Sequence, residues 1–442
     1  MTLPILDLST SRGQAQWQTL LTKLRTTASA TGEAARTVGR IIEDVRRDGD
    51  AAVVKYMRQW TDPDFSADRI RVTERELAAA LRALDPKLRQ ALQNAIDHVT
   101  QYQQHVLPKP LKPVTIDGAE LGLRFTPVAS AGLAVPGGKA AYPSSVIMLA
   151  VPALVAGVPA KMLSVVTPPP TRKGHQAAGD VAALVLATCA MLGITKVYRI
   201  GGAQAIAALA FGTASVEAVD LVAGPGNVFV QLAKAQLNGI LGTDNGFYGP
   251  SEVLTIADAS ADPALIAADL LAQAEHDPGK CFLVSWSRRV IQRITQEVEK
   301  QKSERFRLPA IEAALTNESA ALIVKDENQA VQLADMIAAE HVNLAVKNPA
   351  KLLARIRHGG EFFLGTQTPV AAGDYYAGPS HCLPTGTTAR FASGVSVYTF
   401  LKRSGTVWYK HGMSEATIDD IARLAQAEGL DAHAQSARAR RG

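Results

Sequence analysis

The segment KVYRIGGAQAIAALAFG, residues 196–212, places a short β-branched and aromatic run before two glycines and an alanine-rich helical pattern. A strand, a tight glycine turn and a helix in this order are typical of a parallel sheet with helices on its faces. The same order recurs in VDLVAGPGNVFVQLAKAQLNG (219–239) and begins in AGLAVPGG (131–138). Residues 131–250 are therefore predicted to form one α/β lobe.

A second set of strand and helix patterns occupies residues 251–395. Apolar runs such as SEVLTIA and CFLVSW alternate there with helical patterns such as PALIAADLLAQAEH. The two sets show no exact repeat, but their similar order predicts two related, incomplete Rossmann-like α/β lobes with a cleft between them. Residues 1–130 are expected to form a helical N-terminal region packed on the first lobe, and residues 396–442 an extended C-terminal tail segment.

Length and composition limit the function classes. The chain has 442 residues, 47% of them hydrophobic and 20% charged, which is ordinary for a soluble globular protein of two or three domains. The net charge of +5 comes without a basic stripe interleaved with aromatic residues, so we expect no nucleic-acid partner.

The sequence also predicts a cytoplasmic location and no membrane association. The first residues lack the pattern of a signal peptide, and the apolar segment 146–160 contains two prolines and is too short to span a bilayer. The cysteines Cys189, Cys281 and Cys382 lack CxxC spacing, which indicates reduced thiols in the cytoplasm.

Three glycine-rich turns, VPGG, IGG and GPGN, follow predicted strands in the first lobe. Such a turn exposes backbone N–H groups at the start of a helix, where a phosphate binds well. Each turn alone is also the ordinary connection between a strand and a helix, and no complete GxGxxG pattern is present. Three such turns on one sheet favour a nucleotide ligand.

The segment MIAAEHVNLAV, residues 336–346, places Glu340 and His341 side by side between apolar residues. A carboxylate and an imidazole that are both shielded from water can act as an acid–base pair. In an exposed position the same two residues would form only a polar turn. The sequence leaves both interpretations open.

Four residues that are far apart in sequence have side chains suited to one metal ion. Gln273 and His276 share a face at the end of a helix that is predicted to begin after Asp262. Asp374 lies in the loop AAGDYYAGPSHCLPTG, and His433 lies near the end of the chain. Two oxygens and two imidazole nitrogens suit zinc, with manganese as the alternative. A helix-end hydrogen bond and an ordered turn are the purely structural interpretations.

Seven motifs together resemble the histidinol dehydrogenase family. They are GGAQAIAALAFGT, GPGN, GPSEVL, DLLAQAEHDP, AEH, GDYYAGPSH and AEGLDAH, in the order and at about the intervals of that family. The resemblance covers roughly residues 30–437. It implies a zinc-dependent, NAD-linked alcohol and aldehyde dehydrogenase that oxidises L-histidinol to L-histidine through bound L-histidinal, in histidine biosynthesis.

The resemblance implies roles for individual residues of this sequence. The zinc ligands would be Gln273, His276, Asp374 and His433. The proton acceptors would be Glu340 and His341. The substrate contacts would be the four zinc ligands together with Ser251, His341, His381 and Glu428. The NAD contacts would be Ala134, Gln204 and Asn227.

The resemblance also implies an assembly. The family forms homodimers with one zinc ion per subunit, and the C-terminal segment reaches the site of the other subunit. Glu428 and His433 would therefore act in trans, and residues 396–442 would be the exchanged segment. Residues 131–250 would bind the nucleotide, and residues 251–395 the metal and the substrate.

One position departs from the family pattern. The family usually has tyrosine where this chain has Ala134, in the loop beside the nicotinamide nucleotide. Loss of a stacking tyrosine weakens binding by about 0.5–1.5 kcal/mol. Tyr142, in the same loop, could replace that contact.

The proposed chemistry explains why these residue types are needed. An imidazole that is neutral near pH 7 can take the alcohol proton as the hydride leaves, which is a role for His341. The aldehyde must then be hydrated, and a carboxylate with a raised pKa can activate the water, which is a role for Glu340.

Three other functions compete with this interpretation. A dehydrogenase of the same superfamily could oxidise another amino alcohol or a sulfonated diol, but the acid at Glu428 suits a substrate ammonium rather than a sulfonate. A zinc hydrolase could use Glu340 to activate water, but it would have no need of three glycine turns. A catalytically inactive binding protein would not need the full set of bases and ligands.

Overall fold

The structure is a computed structural model that describes residues 3–26, 32–138, 140–172, 179–249, 251–276 and 279–441. The chain divides into two compact units. The first contains Met1–His105 and Ala129–Phe400, and the second contains Val106–Val128 and Leu401–Gly442.

The elements of the described residues are numbered in chain order. The strands are β1 (Ile5–Asp7), β2 (Val114–Ile116), β3 (Ala119–Pro127), β4 (Ala131–Ala134), β5 (Leu163–Val166), β6 (Lys196–Tyr198), β7 (Leu221–Ala223), β8 (Gly242–Thr243), β9 (Ser251–Ala257), β10 (Gly279–Ser285), β11 (Ala320–Ile323), β12 (His341–Ala345), β13 (Glu361–Leu364) and β14 (Leu401–Trp408). The helices are α1 (Ser11–Thr26), α2 (Glu33–Asp48), α3 (Asp50–Trp60), α4 (Glu74–Ala83), α5 (Pro86–Val106), α6 (Pro143–Ala156), α7 (Ala183–Met191), α8 (Gly202–Phe211), α9 (Val228–Leu237), α10 (Pro263–Ala274), α11 (Arg288–Lys302), α12 (Leu308–Thr316), α13 (Glu327–Ile337), α14 (Pro349–Leu353), α15 (Val370–Tyr375), α16 (Glu415–Ala427) and α17 (Asp431–Arg438).

The first sheet of the first unit is parallel, with the strand order β6-β5-β4-β7-β8. Helices α8 and α9 follow β6 and β7, and their apolar residues share a core with those of α2 and α3. Gly224, just after β7, has a φ of 123°, a conformation that residues with a Cβ rarely adopt. The α/β architecture predicted for this part of the chain is confirmed.

The second sheet is also parallel, with the order β1-β11-β10-β9-β12-β13. Helices α10, α11 and α12 contribute to the apolar core of one face, and α1, α13 and α14 to that of the other. Because both faces are covered, the central strands are almost continuous apolar runs. The two sheets confirm the predicted α/β fold with two Rossmann-like lobes.

The start of the chain differs from the expectation that residues 1–130 pack on the first lobe. Strand β1 pairs with β11 at the edge of the second sheet, and Trp17 and Leu21 of α1 lie in the core of that sheet. Helices α2 and α3 pack against the first sheet. The three residues of β1 could not indicate which strand they pair with, because pairing with β11 is a tertiary contact.

The second unit contains an antiparallel sheet in the order β14-β3-β2. Residues Asp117 and Gly118 join β2 to β3 with φ values of 48° and 76°, which suits a tight hairpin turn. The expectation of a helical region up to residue 130 is therefore wrong for β2 and β3. Helices α16 and α17 share a small apolar core. Within the described residues, no helix combines the length and the apolar composition needed to cross a membrane.

Candidate active site

The pair Glu340 and His341 lies where helix α13 turns into strand β12. The helix ends at Ile337, and Ala338 adopts a left-handed conformation with φ 45°, so the chain reverses within a few residues. Glu340 and His341 have exposed fractions of 7% and 2%. The pair is therefore shielded from water, and an exposed polar turn is excluded.

Glu340 is held by hydrogen bonds from the start of strand β9. The Ser251 hydroxyl donates to Glu340 Oε2 at 2.6 Å, and the Glu252 backbone N–H donates to the same oxygen at 2.8 Å. Burial raises the pKa of Glu340 well above its ordinary value, although these two hydrogen bonds oppose the shift. Glu340 is thus a stronger base than an exposed carboxylate once it is ionised.

His341 has one engaged ring nitrogen and one free ring nitrogen. Its Nδ1 lies 3.2 Å from the backbone oxygen of Glu252, and because a carbonyl oxygen can only accept, Nδ1 carries the proton. Its Nε2 is buried, lies 3.6 Å from Asp374 Oδ1 and has no hydrogen-bond partner in the described structure. Burial lowers the pKa of His341, so the neutral imidazole presents a free lone pair at Nε2.

Helix α10 positions two of the predicted metal ligands. Asp262 caps the helix, its side chain accepting from the backbone N–H of Ala264 at 2.9 Å, as predicted. Gln273 lies in the last turn and is buried, and its amide nitrogen has no hydrogen-bond partner in the described residues. His276 follows the helix, and burial lowers its pKa while the charge of nearby Asp374 opposes that shift.

Asp374 lies in helix α15, and His381 supports the chain there. The backbone oxygen of Asp374 accepts a hydrogen bond from His381 Nδ1 at 2.7 Å. The other ring nitrogen of His381 lies 3.1 Å from the hydroxyl of Ser145. Both nitrogens of His381 therefore have partners within the protein, whereas a substrate contact through its ring stays a prediction.

Asp269 connects the elements that carry the candidate residues. This buried side chain of α10 accepts hydrogen bonds from Asn343 Nδ2 in β12, at 3.1 Å, and from the backbone N–H of Val370 at the start of α15. Burial raises its pKa to about 6. Asp269 thus joins α10 to the strand of His341 and to the helix of Asp374.

Glu361 belongs to the same cluster but was missed by the sequence analysis. It begins strand β13 opposite His341, and its Oε2 is buried without a hydrogen-bond partner in the described structure. Burial, with a smaller contribution from the charge of Asp374, raises its pKa to about 7. A Cβ on Gly373 would lie 2.7 Å from that oxygen, so glycine leaves room for the carboxyl group. The sequence pattern that could have indicated Glu361 is a single acid between two glycines and an apolar strand, in GGEFFLG.

The first sheet contributes a cleft of about 230 Å³ beyond the carboxyl ends of β4 and β5. It is lined by the turns that follow these two strands and by the start of α7. In a parallel α/β sheet, this edge is the usual place for a nucleotide.

The three predicted NAD contacts lie in different environments of the first sheet. Ala134 ends β4, and its methyl group lies in the apolar core. Gln204 is buried in α8, and its Oε1 has no hydrogen-bond partner in the described residues. Asn227 caps α9, and its Oδ1 accepts from the backbone N–H groups of Phe229 and Val230 at 3.0 and 3.2 Å. Cap formation accounts for the oxygen of Asn227 and leaves its NH₂ group for a ligand.

Glu428 and His433 belong to the second unit, where both are exposed. Helix α16 ends at Ala427, and Gly429 has a φ of 77°, so the chain leaves the helix directly after Glu428. Seven of the predicted site residues lie together in the first unit. They are Ser251, Gln273, His276, Glu340, His341, Asp374 and His381.

The donor atoms of the cluster suit only part of a zinc site. Across the described ranges, no group of three or more His, Cys, Asp or Glu side chains is arranged to hold a metal ion. Gln273, His276 and Asp374 nevertheless offer an amide oxygen, an imidazole nitrogen and a carboxylate oxygen, which zinc accepts. The unpartnered amide of Gln273 is polar, buried and available to a ligand once its oxygen faces inward. These three residues fit an incomplete zinc site that needs further donors.

Comparison with known proteins gives a consistent result. The family model described as histidinol dehydrogenase matches residues 24–441. Histidinol dehydrogenase from Synechococcus sp. is 43% identical over 404 residues, covering 91% of each chain. The enzyme of that name from Rhodopirellula baltica is 41% identical over 399 residues, covering 90% of this chain and 85% of the relative.

A solved structure extends the similarity to the fold. The crystal structure of histidinol dehydrogenase from Elizabethkingia anophelis has a TM-score of 0.86 and 30% sequence identity, and the match covers 96% of this chain and 95% of that one. Sequence and fold agree over nearly the whole length, and the chain therefore belongs to the histidinol dehydrogenase family.

Proposed function

We propose that this protein catalyses the NAD-dependent oxidation of L-histidinol to L-histidine through bound L-histidinal, in histidine biosynthesis in the cytoplasm. Membership of the family supports this reaction. The observation that carries the proposal is the buried pair Glu340 and His341. Two successive oxidations release protons at two stages, and the pair offers a separate acceptor for each stage.

His341 is the proton acceptor in the oxidation of the alcohol. As a hydride leaves the carbon, the hydroxyl group must lose its proton, and the free lone pair of His341 Nε2 can take it. The Glu252 carbonyl holds Nδ1–H and so keeps Nε2 available. A positioned general base of this kind contributes about 10²–10⁴-fold to the rate.

Glu340 is the base for hydration of the aldehyde. Ser251 and the Glu252 backbone N–H hold Oε2, so Oε1 is left to take a proton from water as the water adds to the carbonyl carbon. The hydrated aldehyde then loses a second hydride and becomes the carboxylic acid. Burial strengthens Glu340 as a base because it disfavours the charged form.

The zinc ion, one per subunit, would be held by Gln273, His276 and Asp374 of the first unit, with His433 as a fourth protein ligand. The ion would supply a positive charge that binds and orients the amine and imidazole of the substrate. Asp269 ties α10, which carries Gln273, to the start of α15, which carries Asp374. His381 would contact the substrate and, through its Nδ1, would also fix the backbone at Asp374.

The cofactor would be NAD, which accepts the hydride in both steps. Its contacts would be Gln204, Asn227 and the chain at Ala134, near the cleft at the carboxyl edge of the first sheet. The unpartnered Oε1 of Gln204 and the free NH₂ group of Asn227 support polar contacts to the nucleotide.

The active form would be a homodimer in which the C-terminal segment completes the site of the partner subunit. Glu428 and His433 are exposed in the second unit, which leaves both side chains accessible to another chain. The carboxylate of Glu428 would bind the substrate ammonium group. The donor set of the first unit is incomplete, which supports a further ligand from the second unit of a partner.

The test is to count products and metal together. Purified protein with limiting L-histidinol and excess NAD is expected to form two NADH per histidinol, with one zinc ion per subunit by elemental analysis. If histidinol gives no NADH and the protein instead hydrolyses an ester or an amide, the zinc hydrolase is indicated. Faster oxidation of another amino alcohol or of a sulfonated diol would reassign the substrate.

A further inference from the structure

We propose that Lys234 and Asp244 are positioning residues for the cofactor, because their buried ion pair fixes the turn between β7 and α9. This inference rests on the proposed function, in which the turn, residues 224–227, helps to hold NAD. It concerns two residues that neither the sequence motifs nor the catalytic cluster single out.

The ion pair binds both the backbone carbonyl and the backbone N–H of one glycine, Gly224. Lys234 Nζ lies 2.5 Å from Asp244 Oδ1, and the two residues have exposed fractions of only 2% and 7%. Lys234 Nζ also donates to the backbone oxygen of Gly224 at 3.0 Å. Asp244 Oδ2 accepts from the backbone N–H of Gly224 at 2.7 Å. Opposite charges thus hold the carbonyl and the amide of the same residue.

Gly224 is the point where the chain leaves the first sheet. Its φ of 123° disfavours any side chain, and a Cβ there would lie 2.4 Å from the backbone oxygen of Ala134. Glycine alone would leave the backbone free to take other conformations. The hydrogen bonds from Lys234 and to Asp244 select one of them.

Residues 244–248, which begin with Asp244, also hold the rest of the turn. The Gly226 backbone N–H donates to the backbone oxygen of Tyr248 at 3.1 Å, and the Tyr248 backbone N–H donates to Gln231 Oε1 at 3.1 Å. The Tyr248 hydroxyl donates to the backbone oxygen of Asp244 at 2.8 Å. Residues 244–248 therefore pack along the turn and the first part of α9.

Stability alone is a weak explanation for this pair. Replacing a buried ion pair by apolar residues of similar size is often neutral or stabilising, because desolvation of the charges is costly. What apolar residues cannot supply is a pair of oriented hydrogen bonds to one peptide. Their hydrogen bonds to Gly224 therefore point to a role in fixing the conformation of the turn.

The test is the double variant Lys234→Met/Asp244→Leu, which removes both charges without leaving one unpaired. We expect the Kd for NADH, measured by fluorescence titration, to rise about tenfold, and amide hydrogen exchange in residues 222–230 to accelerate. Zinc content and the KM for histidinol should stay within twofold of the parent. The matched control is Lys196→Met/Glu217→Leu, which removes a 2.6 Å ion pair at β6, away from the turn, and should bind NADH normally.

A folded double variant with unchanged NADH affinity would overturn the inference, as would equal losses of NADH affinity, zinc and histidinol affinity. If the double variant does not fold, Asp244→Asn keeps an acceptor for Gly224 and should raise the Kd about threefold, and no change there overturns the inference equally. A wrong proposed function would give a different result, because the parent protein itself would then form no NADH from histidinol.

Discussion

The two parallel sheets of the first unit place their candidate residues at opposite ends of their strands. In the first sheet, glycine turns and a cleft lie beyond the carboxyl ends of β4, β5 and β7. In the second sheet, Ser251, His341 and Glu361 stand at the amino ends of β9, β12 and β13. One fold type thus serves two kinds of site.

The difference lies in which part of the chain faces a ligand. Around the first sheet, backbone groups in tight turns predominate among the groups that could face a ligand. The side-chain oxygen of Asn227 is used in a helix cap. Around the second sheet, side chains with displaced pKa values and unpartnered atoms predominate, such as His341 and Glu361. Backbone turns hold a ligand, whereas buried titratable side chains move protons.

The largest effect is expected from His341→Asn in the second sheet. Turnover of histidinol should fall by about 10²–10⁴-fold, because the proton acceptor is lost. Zinc content should be unchanged, because His341 is not a proposed ligand. Steady-state kinetics and elemental analysis measure the two quantities. The exposed His105→Asn is the control, and near-parental turnover of His341→Asn would remove His341 as the base.

A smaller and more selective effect is expected from Glu340→Gln. The amide keeps an acceptor for Ser251 and for the Glu252 N–H, so the local structure should persist. Oxidation of histidinal should slow by about 10²-fold, and the alcohol step should slow much less, because only the aldehyde step needs activated water. Single-turnover measurements with histidinol and with histidinal separate the steps, and equal losses in both would reject this role.

The pH dependence of stability tests the buried acids of the second sheet through Asp269→Asn. The pKa of Asp269 is raised from 3.8 to about 6 on folding, so its contribution to stability is complete below pH 3.8 and is lost as the pH rises through 6. Between pH 5 and pH 8 the parent should lose roughly 1–1.5 kcal/mol that the variant does not lose.

Urea unfolding of both metal-free proteins at the two pH values measures this difference. The removal of metal prevents its own pH-dependent binding from contributing. A difference between variant and parent that is the same at pH 5 and at pH 8 would show that Asp269 keeps an ordinary pKa.

The smallest effect is expected in the first sheet, from Asn227→Ala and Asn227→Ser. Alanine removes the cap of α9 and should lower the free energy of unfolding by about 1 kcal/mol, whereas serine can still cap. Both variants should raise the KM for NAD, because both lose the NH₂ group. Thermal unfolding and NAD titration of the pair would separate the two roles, and a normal KM in the serine variant would leave Asn227 as a cap alone.

The sequence predicted the first sheet well because its signals are local. Gly201, Gly224 and Gly226 lie between a strand and a helix, Gly202 begins α8, and the helix cap at Asp262 was equally visible. The motifs also indicated the proposed catalytic pair and the proposed metal ligands. Their burial could not be read from residues 336–346 alone, since it depends on strands β9 and β13 on either side.

The misses share a physical cause, which is distance along the chain. Glu361 joins the cluster only because β13 pairs with β12 in a register that sets it opposite His341. Strand β1 finds its partner more than 300 residues later, at β11. The hairpin of β2 and β3 was an exception, because the Asp117–Gly118 turn is a local signal that was missed when the helical region was extended to residue 130.

The pairing of β1 with β11 has a consequence for synthesis of the protein. Ile5 is synthesised 316 residues (321 − 5) before its partner Ala321. At typical translation rates this interval is on the order of tens of seconds. During that time the first strand has no edge to join, and Trp17 and Leu21 have no core to enter. The apolar side chains of α1 therefore stay exposed to solvent until the later strands of this sheet have been synthesised.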